Sequence, residues 1–234
     1  MEDTLDVDGS EMTTARPLSQ KKPKQVKKQR LIIVNESEIN TNKGTGAGGS
    51  KTNHNGIAFE NKTDNEFRLI SDGFVRKNIA GKEKMKYGYY LEKIDAKQTI
   101  HFVKQNGLKY YMAQFHQKKL FREVDEAYII TDNVTQHITV KILEKKNQNG
   151  SGSVEDKLLH GHYFKFVEYP SCLGENFKVE YAFCISTFLK KQYISSHKKW
   201  EIYRESNEKY NIPVFYGDDE NYFETLNTWL NSSL

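Results

Sequence analysis

The sequence predicts an α/β fold, and three observations carry that expectation. Two short runs rich in β-branched residues, Ala127 to Thr131 and Ile138 to Leu143, flank a turn signal and read as paired strands. A third segment, Lys178 to Ile185, places Val179, Tyr181, Phe183 and Ile185 at the period of two that a strand requires. Helical spacing precedes and follows these strands, from Gly56 onward and again over Tyr222 to Leu230. With 234 residues and 37 % hydrophobic content the chain can bury a sizeable core, read as one domain over residues 56–234 behind a tail over 1–55.

The tail mixes acidic, basic and Gly/Ser/Asn/Thr stretches with little apolar periodicity, so it is expected to be mostly disordered. Leu31-Ile32-Ile33-Val34 alone breaks the pattern, as an edge strand or a partner contact. The basic cluster Lys21-Lys22-Pro23-Lys24 with Lys27-Lys28-Gln29-Arg30 reads as a nuclear-import signal, a phosphate-binding arm or a solvated tail. Gly44 and Gly49 have the separation of a phosphate-cradling loop, but Ser50 stands where that loop needs lysine and no strand precedes the glycines, which argues against nucleotide hydrolysis. No apolar run is long enough to span a bilayer, and no basic region followed by an apolar stretch opens the chain. An intracellular protein is expected, nuclear if the basic cluster is an import signal. Cys172 and Cys184 fall outside any CxxC or Cys/His array, so reduced thiols and no structural zinc are expected. The net charge of +4 permits nucleic-acid binding.

From Gly56 the spacing predicts one helix, with Ile57, Glu60, Asp64 and Phe67 in line, Phe59 and Ile70 beside them, and Gly73 as its end. Glu60 thus sits close to an apolar stripe. Tyr87 to Ile94 and Thr99 to Val103 read as strands, and Leu108, Tyr111, Met112 and Phe115 as a helix. Beyond the central hairpin, Asn147 to Ser153 is a polar loop, and Ser153-Val154-Glu155-Asp156 signals the start of a short helix through Leu159. The free N–H groups of that helix, with Ser153 and Lys157, suit a phosphate. His160 and His162 read as a surface pair. Ser186 is placed to cap a helix, Trp200, Ile202 and Tyr203 mark another, and Ile212 to Tyr216 reads as a short strand. Asp218-Asp219-Glu220 reads as the cap and acidic first turn of the last helix.

The central hairpin repays a count of its register. A four-residue loop, Asn133 to Gln136, sets Asp132 opposite His137, and counting outward puts Ile130 opposite Thr139, Ala127 opposite Ile142 and Asp125 opposite Glu144. Alternation places Ala127, Ile129 and Thr131 on one face with Ile138, Val140 and Ile142, and continues that face into Asp125, Glu144, Lys146 and Gln148. Opposed side chains in such a pair are about 5 Å apart and like charges repel there. A divalent cation between the two carboxylates offsets the repulsion, and Mg²⁺ is suited to one or two carboxylates plus water and phosphate oxygens. Lys146 then lies beside the ion.

Asp125 followed by Glu144-Lys145-Lys146 resembles the D...(D/E)xK signature of the PD-(D/E)XK nuclease superfamily, and particularly of type II restriction endonucleases. The segment Val124 to Leu158 also resembles restriction-type proteins of large DNA viruses. Val124 occupies the place of the motif's proline, leaving Glu126 as a rival acid, though parity favours Asp125. The resemblance implies an α/β/α sandwich around a central mixed sheet. It further implies a metal-dependent endodeoxyribonuclease that hydrolyses double-stranded DNA with Mg²⁺, leaves 5′-phosphate ends and acts as a homodimer. In that scheme Asp125 and Glu144 hold the metal, and Lys146 orients the attacking water. Gln148 bonds a metal water or the DNA backbone, and Glu60, matching the glutamate of the superfamily's first helix, completes the outer shell or binds a second metal, unless it is a helix-surface glutamate near Lys62 or Arg68. The sequence leaves other readings open: a repair or recombination nuclease, a DNA-binding protein without catalysis, and an interaction protein whose hairpin charges are only surface.

Overall fold

The structure is a computed structural model and describes residues 58–148 and 162–232. The tail, the basic cluster Lys21 to Arg30, the glycines at 44–49, and Ser153, Lys157 and His160 lie outside the described residues. Its scaffold is a seven-stranded mixed sheet in sequential order. The strands are β1 (Val75–Asn78), β2 (Tyr89–Ile94), β3 (Gln98–Gln105), β4 (Val124–Asp132), β5 (Ile138–Lys146), β6 (Phe177–Ile185) and β7 (Val214–Tyr216). The first five form an antiparallel meander, whereas β5–β6 and β6–β7 pair in parallel.

Parallel neighbours need long crossovers. A helix, His162–Leu173, lies in the first crossover, and helices Thr187–Tyr193 and Lys198–Lys209 fill the second. Numbered along the chain, the helices are α1 (Glu66–Ser71), α2 (Gly107–His116), α3 (His162–Leu173), α4 (Thr187–Tyr193), α5 (Lys198–Lys209) and α6 (Tyr222–Asn231). None of the described helices is long and apolar enough to cross a membrane.

Alternation along the central strands feeds two cores at once. Ala127, Ile129, Val140, Ile142, Tyr181 and Phe183 pack with residues of α2, α3, α4 and α5. On the other face Tyr128 and Ile130 pack with Leu69 of α1, and Leu143, Ala182 and Cys184 pack with Phe59 and with Tyr222 and Leu226 of α6. The sheet is therefore covered on both faces. The two cysteines are free, and they pack against opposite-face clusters, Cys184 on the α6 side and Cys172 on the α3 side. Lys141, in the middle of β5, has a side chain that is 0 % exposed. A charge buried so deeply must be paired. Its ammonium lies 3.0 Å from Glu180 Oε2 on the neighbouring strand, bonds the Trp229 carbonyl and sits 5.0 Å from the centre of that indole ring. Burial pushes its pKa down while Glu180 opposes the shift.

The single helix expected over residues 56–73 is broken. Residues 58–62 form a helical turn, and α1 begins only at Glu66. Three short polar side chains between them compete with the backbone. Thr63 Oγ1 donates back to the Phe59 carbonyl at 2.8 Å, Asp64 Oδ1 accepts the Glu66 N–H at 2.8 Å, and Asn65 turns to Glu126. The break changes the phase of the stripe, so Phe59 and Leu69 are buried while Phe67 is 81 % exposed. Gly73 does end α1, with φ of +88° and a Phe74 N–H bond to the Leu69 carbonyl at 3.0 Å. Asn106-Gly107 opens α2 rather than a hairpin. A side chain at Gly107 would meet the Tyr87 carbonyl at 2.9 Å, so only glycine allows this close approach.

Ser186 stands at the start of α4, but its hydroxyl donates to the Gln148 carbonyl at 3.3 Å. Asp218 does the capping: its Oδ2 accepts the Thr187 N–H at 2.7 Å and the Thr187 hydroxyl at 2.8 Å. Its other oxygen meets Lys62 at 2.9 Å, and Asp219 meets Lys190 at 2.5 Å. The acidic cluster thus serves α4, not α6 as its sequence position suggests. Burial raises the Asp218 pKa, but Lys62 and the Thr187 donors outweigh it and hold the carboxyl below its ordinary value. A depressed carboxyl pKa contributes stability above the unfolded value of about 3.9 and loses it as pH falls through the folded one. Asp218→Ala is expected to destabilise by about 1 kcal/mol in urea unfolding at pH 7. The difference from the parent should shrink in the same measurement below about pH 4.

Candidate active site

The ladder between β4 and β5 runs from Thr131 opposite Ile138 to Glu126 opposite Leu143. One further step in that register sets Asp125 against Glu144. The closed end is tied by Asp132, whose Oδ1 accepts the Val134 and Thr135 N–H groups at 2.8 and 2.7 Å. At the open end the ladder stops, and the Lys145 N–H donates instead to Asp125 Oδ2 at 2.7 Å.

On its other side β4 meets β3 through an irregularity at the same place. Lys104 pairs with Glu126 and Gln105 with Val124, which leaves Asp125 as the extra residue of a bulge. Bulges end regular pairing and re-aim side chains. Gln105, with φ of +50°, points Nε2 toward Asp125 Oδ1 at 3.5 Å. The Asp125 carboxylate is therefore aimed by side-chain and main-chain donors at the sheet's end.

Lys146 draws the two acids together. Its Nζ lies 2.9 Å from Glu144 Oε2 and 3.6 Å from Asp125 Oδ2. Glu144 is the most enclosed of the three, 2 % exposed, with Phe183 as its partner on β6. The buried hydroxyls of Tyr169 and Tyr181 have pKa values raised by burial and then by the Glu144 charge. Burial works to lower the Lys146 pKa, but Glu144 and Asp125 outweigh it and hold it above the ordinary lysine value. An ammonium so held is charged and pairs with both carboxylates.

Among the described residues, no three carboxylate, imidazole or thiol side chains gather closely enough to hold an ion. Asp125 and Glu144 supply two. An all-oxygen pair, completed by water and phosphate oxygens, is a donor set that fits Mg²⁺ and does not fit a softer metal that needs thiolate or imidazole.

The remaining expected residues divide. Gln148 lies two residues past Lys146, where its N–H and carbonyl meet the Ser186 hydroxyl at 3.4 and 3.3 Å and the Ser186 N–H meets the Lys146 carbonyl at 3.1 Å. That seam ties the end of β5 to the end of β6. Glu60 is exposed on the turn at 58–62, whose Phe59 packs on the opposite face of the sheet, and among the described residues no hydrogen bond or ion pair joins it to Asp125, Glu144 or Lys146. Glu126 points away from Glu144, to Asn65 and Lys145. Sequence reasoning missed Gln105 and the Glu126–Lys145 pair. The signal for the second was present in the doublets Asp125-Glu126 and Lys145-Lys146, which put one acid and one amine on each face.

Two cavities, of about 410 and 540 Å³, are lined by other residues, among them Arg68 and Tyr128 in the first and His116 and Phe177 in the second. The chain matches no family model, no curated protein and no solved structure.

Proposed function

We propose that the chain is a Mg²⁺-dependent endonuclease of the PD-(D/E)XK type, acting on double-stranded DNA in the manner of a type II restriction enzyme. The observation that carries this reading is the convergence of Asp125 and Glu144 on Lys146 at the open end of the β4–β5 hairpin. Supporting it, the hairpin continues through a helix into a strand parallel to β5, and helices cover both faces of the mixed sheet, as in the α/β/α sandwich expected of such nucleases. Fold likeness alone carries no activity.

In this reading Asp125 and Glu144 present the carboxylate oxygens that hold Mg²⁺. The ion, when bound, polarises the phosphate and lowers the pKa of a water. Lys146 donates a hydrogen bond toward the scissile phosphate and stabilises charge that develops there. Lys145 N–H and Gln105 keep Asp125 aimed, and the seam at Ser186 keeps Gln148 near the group, where it can bond the DNA backbone. A homodimer cutting both strands follows from the same reading.

The test is incubation of the purified protein with unmethylated supercoiled plasmid and Mg²⁺, with EDTA as control. Discrete fragments are expected with Mg²⁺ and none with EDTA. Salt-sensitive DNA binding without any cleavage would instead select a non-catalytic DNA-binding protein, and random nicking a repair-type nuclease.

A further inference from the structure

Asp125 and Glu126 are neighbours on β4, and Lys145 and Lys146 on β5, so alternation sends one acid and one amine to each face. On the face away from the candidate active site, Glu126 Oε1 and Lys145 Nζ lie 2.5 Å apart, with side chains 1 % and 5 % exposed. Their remaining bonding capacity is used nearby. Lys145 Nζ also donates to the Thr63 carbonyl at 2.6 Å, and Glu126 accepts from Asn65 Nδ2 at 2.6 Å and from the Asn65 N–H at 3.3 Å. Thr63 and Asn65 are themselves fully buried.

Stability is a weak reason for such a pair. Desolvating two charges offsets much of their attraction, and apolar side chains of similar volume often hold a fold as well. A charged hydrogen bond does what apolar contact does not: it fixes a direction. Direction matters here, because regular pairing fails on both sides of Asp125, at the bulge toward β3 and past Glu126–Leu143 toward β5. Lys145 belongs to both halves of the arrangement. Its side chain is clamped by Glu126 and Thr63, and its main-chain N–H grips Asp125 Oδ2.

We infer that Lys145, clamped by Glu126, is a positioning residue that orients the Asp125 carboxylate toward Glu144 and Lys146 through its own main-chain amide. The inference rests on the reading of those three residues as a nuclease site. The fixed point of the clamp is the buried segment Thr63–Asn65, the same short polar stretch that breaks the first helix.

The double variant Glu126→Leu/Lys145→Met removes the clamp and keeps the apolar volume. Its amide at position 145 is expected to lose hydrogen-exchange protection while those at 141 and 143 keep theirs. The kcat of Mg²⁺-dependent plasmid cleavage is expected to fall about 10–100-fold, as for loss of a group that orients a metal ligand, with KM for DNA unchanged. Lys145→Arg, which preserves a donor to Glu126, should recover most of the rate. Should the double variant not fold, Glu126→Gln carries the same two readouts. Wild-type protection at 145 together with an unchanged kcat overturns the inference. A parent protein that cleaves nothing overturns the nuclease reading instead, and the exchange measurement alone then decides whether Lys145 holds Asp125.

Discussion

Alanine at Lys146 is expected to slow Mg²⁺-dependent plasmid cleavage by about 10²–10³-fold, the loss that accompanies removal of one donor aimed at developing charge. Alanine at Glu144 should do at least as much, since it removes half of the carboxylate pair. The geometry sets these residues apart. Lys146 is the only ammonium among the described residues within 4 Å of both carboxylates, and Glu144 is almost wholly enclosed beside Phe183. Glu144→Gln keeps the volume and removes the charge, so it separates electrostatics from packing. Rates measured on supercoiled plasmid, with melting curves as the control for folding, check the expectation. Either alanine variant cutting as fast as the parent would remove Asp125, Glu144 and Lys146 from the chemistry.

The second large effect concerns stability and is independent of activity. Glu126→Ala should destabilise the fold by about 3–5 kcal/mol, because it strands the Lys145 ammonium in a place with almost no access to water. For a domain of this size the loss corresponds to a fall in Tm on the order of 10 °C. Asn65 loses its carboxylate partner in the same step, leaving a fully buried amide short of an acceptor. The apolar double replacement at 126 and 145 removes the ammonium together with its partner, so although Asn65 still loses its acceptor it should melt closer to the parent than Glu126→Ala does. Thermal unfolding of the three proteins tests the difference. A single variant as stable as the double one would show that the pair is neither buried nor directional in solution.

Much of the site was legible in the hairpin because a strand's period of two leaves little freedom. The turn at Asp132 sets the register, and that register brings Ile130 opposite Thr139 and Ala127 opposite Ile142. The order of most elements followed from local patterns, among them α2, β6, α5, β7 and α6. α3 escaped because Pro170 interrupts the pattern, yet the parallel pairing of β5 with β6 needs a crossover there. The expected helix through 56–73 failed for a related reason. Spacing of apolar residues says nothing about Thr63, Asp64 and Asn65, whose side chains take backbone and carboxylate partners in preference to continuing the helix.

By itself the sequence determined the α/β class, the hairpin, and the line Asp125, Glu144, Lys146 along one face, because each depends on residues near one another or on simple alternation. Only the tertiary structure decided that β4 bulges at Asp125, that Asp218 caps α4, and that Glu126 and Lys145 form a buried clamp. Each of those depends on partners far along the chain, as with Asn65 and Glu126, 61 residues apart. Burial and hydrogen-bond direction at such contacts are properties of the assembled sheet, and no local pattern encodes them.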